Sequence, residues 1–258
     1  MPYVQPLLDK QPLEERDRLN WSYLLTNMSW YMLMLGNYSK AEVIVQQAVS
    51  TRAEILGQEH PDTLTSMANL ASTYRNQGRW KEAEELDVQV METRKTVLGE
   101  EHPDTLTSMG NLAATYRNQG RWKEAEELEV RVMETRKTVL GEEHPDTLAS
   151  MNNLALTYMN QGRWKEAEEL NVQVMETRKT VLGEEHPDTL TSMHNLASTW
   201  KDLERWEDAI QLLQDCIRHR ENLLGVDHPD TKSSASALSD WELDFGETSR
   251  EVSYALRH

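Results

Sequence analysis

Five histidines stand 42 residues apart, His60, His102, His144, His186 and His228, each followed by Pro-Asp-Thr. Histidine is a common metal ligand and a common general base, so metal binding and acid–base catalysis are the first chemistries to weigh. A zinc ion holds its donors at about 2 Å, and donors carried by successive copies of one unit lie too far apart to share it. No serine or cysteine nucleophile is placed with a base and an orienting acid, and no Gly-rich phosphate loop follows a strand. No catalytic residue, metal or cofactor is therefore expected, and the chain is read as a non-enzyme. What the block does supply is a helix start: proline suits the first helical turn and Asp62 complements the positive end of the helix dipole.

The elements follow from that punctuation. After Pro61 the residues Leu64, Met67, Leu70, Ala71 and Tyr74 fall on one helical face, here called helix A. Asn76-Gln77-Gly78-Arg79 breaks the pattern. Trp80, Ala83, Val90, Met91, Val97 and Leu98 then recur on a second face, helix B, which Gly99 ends before the next His-Pro. Nothing in the period reads as a strand. Residues 60–101, 102–143 and 144–185 are near-copies, and the first two differ at four of 42 positions. Residues 18–59 and 186–227 follow the template with divergence, 228–258 supply a partial last repeat or cap, and 1–17 form an N-terminal extension. A helix pair this small must cover its apolar face with its neighbours, so the expected class is all-α, an array of stacked antiparallel helix pairs.

Composition narrows the partners. Forty-four acidic against 27 basic residues give a formal charge of −17, which repels phosphate backbones and anionic membranes, and no segregated basic patch offsets it. Neither nucleic acid nor membrane is an expected partner. Surface pairs such as Lys81 with Glu85 are expected along helix B. The single cysteine, Cys216, fits a reducing compartment, and the opening residues carry no signal-peptide pattern, so a cytoplasmic location is expected.

Leu70, Ala71, Tyr74, Gly78, Trp80 and Ala83, at these spacings, resemble the tetratricopeptide repeat (TPR). The 42-residue period, with Leu-Gly-x-x-His-Pro-Asp between repeats and Asn-Leu-Ala in helix A, is similar to the kinesin light chain variety and to the C-terminal arrays of fungal nucleotide-binding, immune-type receptors. The resemblance covers residues of about 18 to 240. It implies a right-handed superhelical α-solenoid whose first helices line a concave, ligand-binding groove. His-Pro-Asp also matches the tripeptide of chaperone J-domains, which carry it once in one loop; five copies at helix starts fit punctuation. Trp80, Trp122, Trp164 and Trp206 stand where the repeat family has a packing aromatic and are expected in the core. One departure is plain. The family has an aromatic residue four after Ala83, and this chain has Asp87, Glu129 and Asn171 there. Burying these unpaired would cost about 1–3 kcal/mol each, so partial exposure or a basic partner such as Arg94 is expected.

The three near-copies vary at six columns, and four of them lie in helix A: Thr65/Thr107/Ala149, Ala68/Gly110/Asn152, Ser72/Ala114/Leu156 and Arg75/Arg117/Met159. At about 100° per residue they fall within roughly 80° of arc beside the apolar face. Either this stripe is the groove lining, diversified while the scaffold was copied, or it is a solvated face that drifted. Outer helix-B positions such as Lys81, Glu82, Glu92 and Lys95 are identical in all three copies, which favours the groove. Asn69, Asn111, Asn153 and Asn195 form a ladder beside the stripe. An amide offers donors and acceptors, so the ladder either holds the backbone of an extended peptide or bonds locally between helices. His194 and Lys201 complete the candidate lining. Arg75, Arg117 and Lys201 either make it mildly basic, favouring acidic or mixed peptides, or are ordinary solvated charges, while the lysine and arginine of the family's carboxylate-clamp version are missing. The expected function is protein or peptide binding, as the sensing or docking array of a larger receptor; a cargo adaptor like the kinesin light chain and a scaffold with an empty groove are the alternatives. Self-association through the repeat ends stays open.

Overall fold

The computed structural model describes residues 14–255, and its regular elements are all α-helices. They are α1 Glu15–Met34, α2 Tyr38–Leu56, α3 Pro61–Asn76, α4 Trp80–Leu98, α5 Pro103–Asn118, α6 Trp122–Leu140, α7 Pro145–Asn160, α8 Trp164–Leu182, α9 Pro187–Asp202, α10 Trp206–Leu224 and α11 Pro229–Ala255. Odd-numbered helices are the A helices and even-numbered ones the B helices. Residues 1–13 of the expected N-terminal extension lie outside the described residues, and α1 opens inside its last three.

The repeated histidine has a job at each start. His60 Nδ1 accepts the backbone N–H of Asp62 at 3.2 Å, and His102, His144, His186 and His228 do the same for Asp104, Asp146, Asp188 and Asp230. Each imidazole thus satisfies one of the donors a helix leaves unpaired at its N-terminus. At the A-to-B turn Gly78 takes φ +76°, the left-handed region that glycine enters without penalty. Glu204 stands at the matching place in the last full pair and still adopts φ +61°, a conformation costing an ordinary residue about 1 kcal/mol.

The contacts divide the chain into two compact units, Met1–Val132 and Met133–His258, with the boundary inside α6. In the first unit each helix packs on the next, and the A helices also meet one another, α1 with α3 and α3 with α5. In the second, α7 to α11 pack in chain order. The apolar clusters show why one repeat cannot stand alone. Leu64 and Met67 of α3 meet Val90 of α4, and Val49 of the preceding α2 closes the cluster. In the second unit Leu190 and Met193 of α9 meet Cys216 of α10 with Met175 of the preceding α8. The four repeats from 60 to 227 therefore each borrow a side chain from the N-terminal neighbour, Val49, Met91, Met133 and Met175 in turn.

An arginine, buried at every junction except the half-buried Arg136, reinforces each one. Arg94 Nη1 donates to the Asp104 carbonyl at 3.2 Å and to Ser108 Oγ at 2.9 Å, tying α4 to the next A helix. Arg52, Arg136, Arg178 and Arg220 repeat both bonds with Asp62 and Ser66, Asp146 and Ser150, Asp188 and Ser192, and Asp230 and Ser234. Arg94 is thus occupied at the junction and is not the partner of Asp87.

Candidate functional site

The apolar face of each A helix is closed, and the variable stripe beside it is partly open. Leu64, Met67, Leu70 and Ala71 are buried, while Ala68, Asn69, Ser72 and Arg75 are half-buried and Thr65 is exposed. The second copy repeats this with Gly110, Asn111, Ala114 and Arg117, and the third with Asn152 and Met159 half-buried beside exposed Asn153 and Leu156, the last 44% exposed. His194, Asn195 and Lys201 are half-buried on α9. At the start of the chain Trp30, in the Ser72 column, is 58% exposed.

Their bonding sorts these residues into two groups. The 75 column belongs to the scaffold. Asp87 is only 2% exposed, and its Oδ2 accepts the Thr115 hydroxyl at 2.6 Å and lies 3.5 Å from Arg75 Nη1. Arg75 Nη1 also donates to the Asn111 carbonyl and to Thr115 Oγ1, both at 3.2 Å. One repeat on, Arg117 Nη1 donates to Glu129 Oε1 at 2.8 Å, with the carboxylate again buried. In the third copy Asn171, 3% exposed, donates to Thr199 Oγ1 at 2.9 Å, and that hydroxyl lies 3.5 Å from Met159 Sδ. The two columns change together: Arg with Asp, Arg with Glu, Met with Asn.

This corrects two expectations. The acidic residues four after the small helix-B residue are fully buried, and their cation is Arg75 or Arg117 in place of Arg94. The basic lining expected from those arginines is correspondingly spent inside the fold. Burial pushes the Asp87 carboxyl above its ordinary range, although the Thr115 hydroxyl and Arg75 pull the other way. Burial also pushes the Arg75 guanidinium down against the attraction of Asp87. Both directions say that desolvation outweighs the pairing. Lys201 Nζ lies 3.7 Å from Asp202 Oδ1 and 5.7 Å from the centre of the Trp206 ring.

Thr65 is likewise engaged, donating to the Pro61 carbonyl at 2.9 Å and accepting Arg94 Nη2 at 3.1 Å. His194 Nδ1 lies 2.9 Å from Ser234 Oγ, which also accepts from Arg220. Burial, aided by Arg220 and opposed by Asp230, holds His194 below the ordinary histidine range.

What remains is the ladder and the two columns beside it. The side-chain amides of Asn69, Asn111 and Asn195 form no hydrogen bond with another described residue. Asn152 presents a buried Oδ1 that is also without a partner. Local bonding between helices is therefore not what the amides of Asn69, Asn111 and Asn195 do. No group of three His, Cys, Asp or Glu able to hold a metal occurs among the described residues, and no described helix is long and apolar enough to cross a membrane.

Helix pairs of 16 and 19 residues, a glycine turn, an apolar A face and a small B residue are the geometry of one repeat family. Tetratricopeptide-repeat family models match residues 24–96 and 62–138, and again 147–188 and 189–230. The chain is a tetratricopeptide repeat protein. Its stacked pairs thus form a TPR solenoid, a fold that serves as a protein-interaction scaffold. Two crystal structures of a Podosopora anserina protein, described as a kinesin light chain with nearly identical TPR-like repeats, are 32% identical to it. They match with TM-scores of 0.68 and 0.65, over 82% and 78% of this chain and 99% and 96% of theirs. BtubC (BKLC) from P. vanneervenii shares the fold at 19% identity and TM-score 0.68, over 88% of this chain and 90% of its own. PH0952 from Pyrococcus horikoshii, a STAND signal-transduction ATPase with a tetratricopeptide repeat sensor, shares it at 14% and 0.63, over 94% of this chain and 36% of its own. No protein with a curated description matches the sequence.

Trp206 packs against the core cluster of Ala209, Leu213 and Trp241 as expected, while Trp80 and Trp122 depart from that role. Trp80 and Trp122 are 42% and 40% exposed, and Trp164 and Trp206 are half-buried. Val97, expected on the apolar face of helix B, is also exposed. The ion pair, by contrast, was within reach of sequence comparison, because the Arg75 and Asp87 columns are two of the six that vary and they vary in step.

Proposed function

We propose that each unit of the TPR array binds an extended peptide or a protein segment along the exposed stripe of its own A helices. The lining is Ala68, Asn69 and Ser72 with Gly110, Asn111 and Ala114 in the first unit, and Asn152, Asn153, Leu156, His194 and Asn195 in the second. The observation that carries the reading is the set of unpaired amides at Asn69, Asn111 and Asn195, each free to bond a ligand backbone whatever its sequence. Arg75 and Arg117 are tied to buried carboxylates, so the first unit selects small or neutral side chains where a basic lining would have selected acidic ones.

Two biological settings fit. A sensing or docking array of a larger receptor is supported by the fold shared with the sensor of a STAND ATPase. A cargo adaptor is supported by 32% identity to the repeats described as a kinesin light chain. In both the array recognises protein.

Peptides selected from a displayed random library against the whole chain provide the test. The double substitution N69A and N111A should weaken selected binders about two- to tenfold per amide while leaving the melting temperature in place. Exchanging Ala68 and Ser72 for the asparagine and leucine of the third copy should change which sequences are selected. Binders that ignore both changes would place recognition on another surface.

A further inference from the structure

The single phenylalanine of the chain covers a tryptophan. Phe245 of α11 stacks on Trp206 with ring centroids 6.1 Å apart and an interplanar angle of 24°, within the range of about 4.5–7 Å for stacked aromatic pairs. Together with Glu204, Arg205, Glu207 and Asp208 the two rings line a small cleft of about 350 Å³ at the A-to-B corner. The same corner recurs one hundred and twenty-six positions earlier. There Gly78, Arg79, Trp80, Lys81, Glu82 and Gln119 occupy the same columns and, with Glu84 and Arg121, line a cleft of about 670 Å³.

The two corners differ in what covers the indole. α11 continues through Gly246 without the turn that α5 makes after Asn118, so Phe245 stays helical and over the Trp206 ring. Gln119, in the Phe245 column, instead reaches to the Trp80 carbonyl at 3.2 Å and to Glu84 Oε2 at 2.8 Å. The ring of Trp80 is left more exposed than that of half-buried Trp206.

The charges around Trp80 are also unequal. Arg79 is held by Glu42 and Glu82 and lies over the Tyr74 ring; Arg121 is held by Glu84 and Glu124 and lies over Tyr116. Lys81 is exposed and makes no ion pair among the described residues, the expected pair with Glu85 included. Its counterpart beside Trp206 is Glu207.

We propose that the Trp80 corner is a second docking surface, apart from the A-helix stripe, and that it takes an aromatic side chain flanked by carboxylates on a partner protein. Phe245 on Trp206 is its covalent precedent within the fold. Lys81 attracts the flanking carboxylate, and Glu207 would repel it.

Fluorine NMR of the full chain labelled with 5-fluorotryptophan tests this, with the two resonances assigned through W80F and W206F. The probe is the capped peptide Gly-Asp-Phe-Asp-Gly, with Gly-Asp-Ala-Asp-Gly and Gly-Lys-Phe-Lys-Gly beside it. The Trp80 resonance should move with the first peptide, stay with the alanine peptide and move less with the lysine peptide, while Trp206 stays throughout. Lys81→Glu, at an exposed site, should weaken the first peptide about two- to fivefold and reverse the charge preference. Phe245→Ala should make Trp206 respond to the lysine-flanked peptide. A Trp80 resonance unmoved at millimolar peptide, equal movement of wild-type Trp206, or a charge preference untouched by Lys81→Glu overturns the proposal.

Discussion

The 60–101 repeat buries an ion pair where the 144–185 repeat buries a neutral one. Arg75 faces Asp87 across the A-to-B turn, and the corresponding residues are Met159 and Asn171. In both places a threonine of the following A helix, Thr115 or Thr199, completes the cluster through its hydroxyl. The same columns hold Leu33 and Val45 in the first pair and Lys201 and Leu213 in the last. One backbone position thus accepts charged, polar and apolar occupants. A carboxylate buried there needs its cation, because a buried charge without its partner is far more costly than either matched pair.

The largest effect expected from this comparison is that of Arg75→Met alone. It installs the methionine of the third copy but leaves Asp87 ionised and buried, at a cost of about 3–5 kcal/mol. Urea unfolding read at α3 and α4 by hydrogen exchange should show the loss confined to the first unit, since stability in a repeat array passes between neighbours. A loss under about 1 kcal/mol would mean that water reaches Asp87 and that the two repeats differ less than their bonding says.

Acid should sharpen the contrast. The Asp87 carboxyl lies above its ordinary value of 3.8 in the fold, so the folded chain takes up a proton at higher pH than the unfolded one. Stability from this group therefore rises as pH falls through the raised value towards 3.8, and is lost above it. Removing Arg75 removes an attraction that lowers this value and lifts it further. The deficit of Arg75→Met relative to the parent chain should shrink on going from pH 7 towards pH 4.5, with a slope of at most about 1.4 kcal/mol per pH unit. A protonated Asp87 beside methionine is close in shape and bonding to Asn171 beside Met159. A deficit independent of pH would remove ionisation as its cause.

The helix starts offer a control in which the two regions should agree. His102 and His144 both accept the aspartate N–H at 3.1 Å. His102→Ala and His144→Ala should each cost about 1 kcal/mol, and serine at either position should restore most of it. Thermal melts that separate the two sites by more than about 0.5 kcal/mol would show that the charge content of a repeat reaches its cap.

Much of the fold was legible because its causes are local. His-Pro fixed five of the six A starts, glycines such as Gly78 and Gly99 fixed all but one of the turns, and the apolar spacing fixed which face is buried. The Arg75–Asp87 pair was legible only by comparing the near-copies, because its members lie on different helices and the family pattern directs attention to an aromatic residue at that place. The junction arginines were hidden by their invariance among near-copies. Their signal was that Arg52 and Arg220 persist, opposite Ser66 and Ser234, in B helices that differ from the near-copies at most other positions. The exposure of Trp80 was not legible at all, since it depends on where Gln119 sends its amide. Of the candidate lining, sequence gave the stripe but could not separate Ala68 and Asn69, which face outward unbonded, from Arg75, which turns back into the fold.

The smallest effect belongs to the double substitution, and it decides the comparison. R75M with D87N transplants the whole neutral pair, replacing a desolvated ion pair by groups that Thr115 can satisfy as Thr199 satisfies Asn171. Exchanges of this kind are commonly neutral or stabilising, so the double variant should lie within about 1 kcal/mol of the parent although R75M alone is severely impaired. The coupling in the double-mutant cycle then equals nearly all of the single-mutant loss. Its pH dependence should also vanish, because no carboxyl remains to titrate. If the double variant is as unstable as R75M, the fault lies in packing methionine against α4, and the matched columns of the near-copies would reflect descent with no compensating physics behind them.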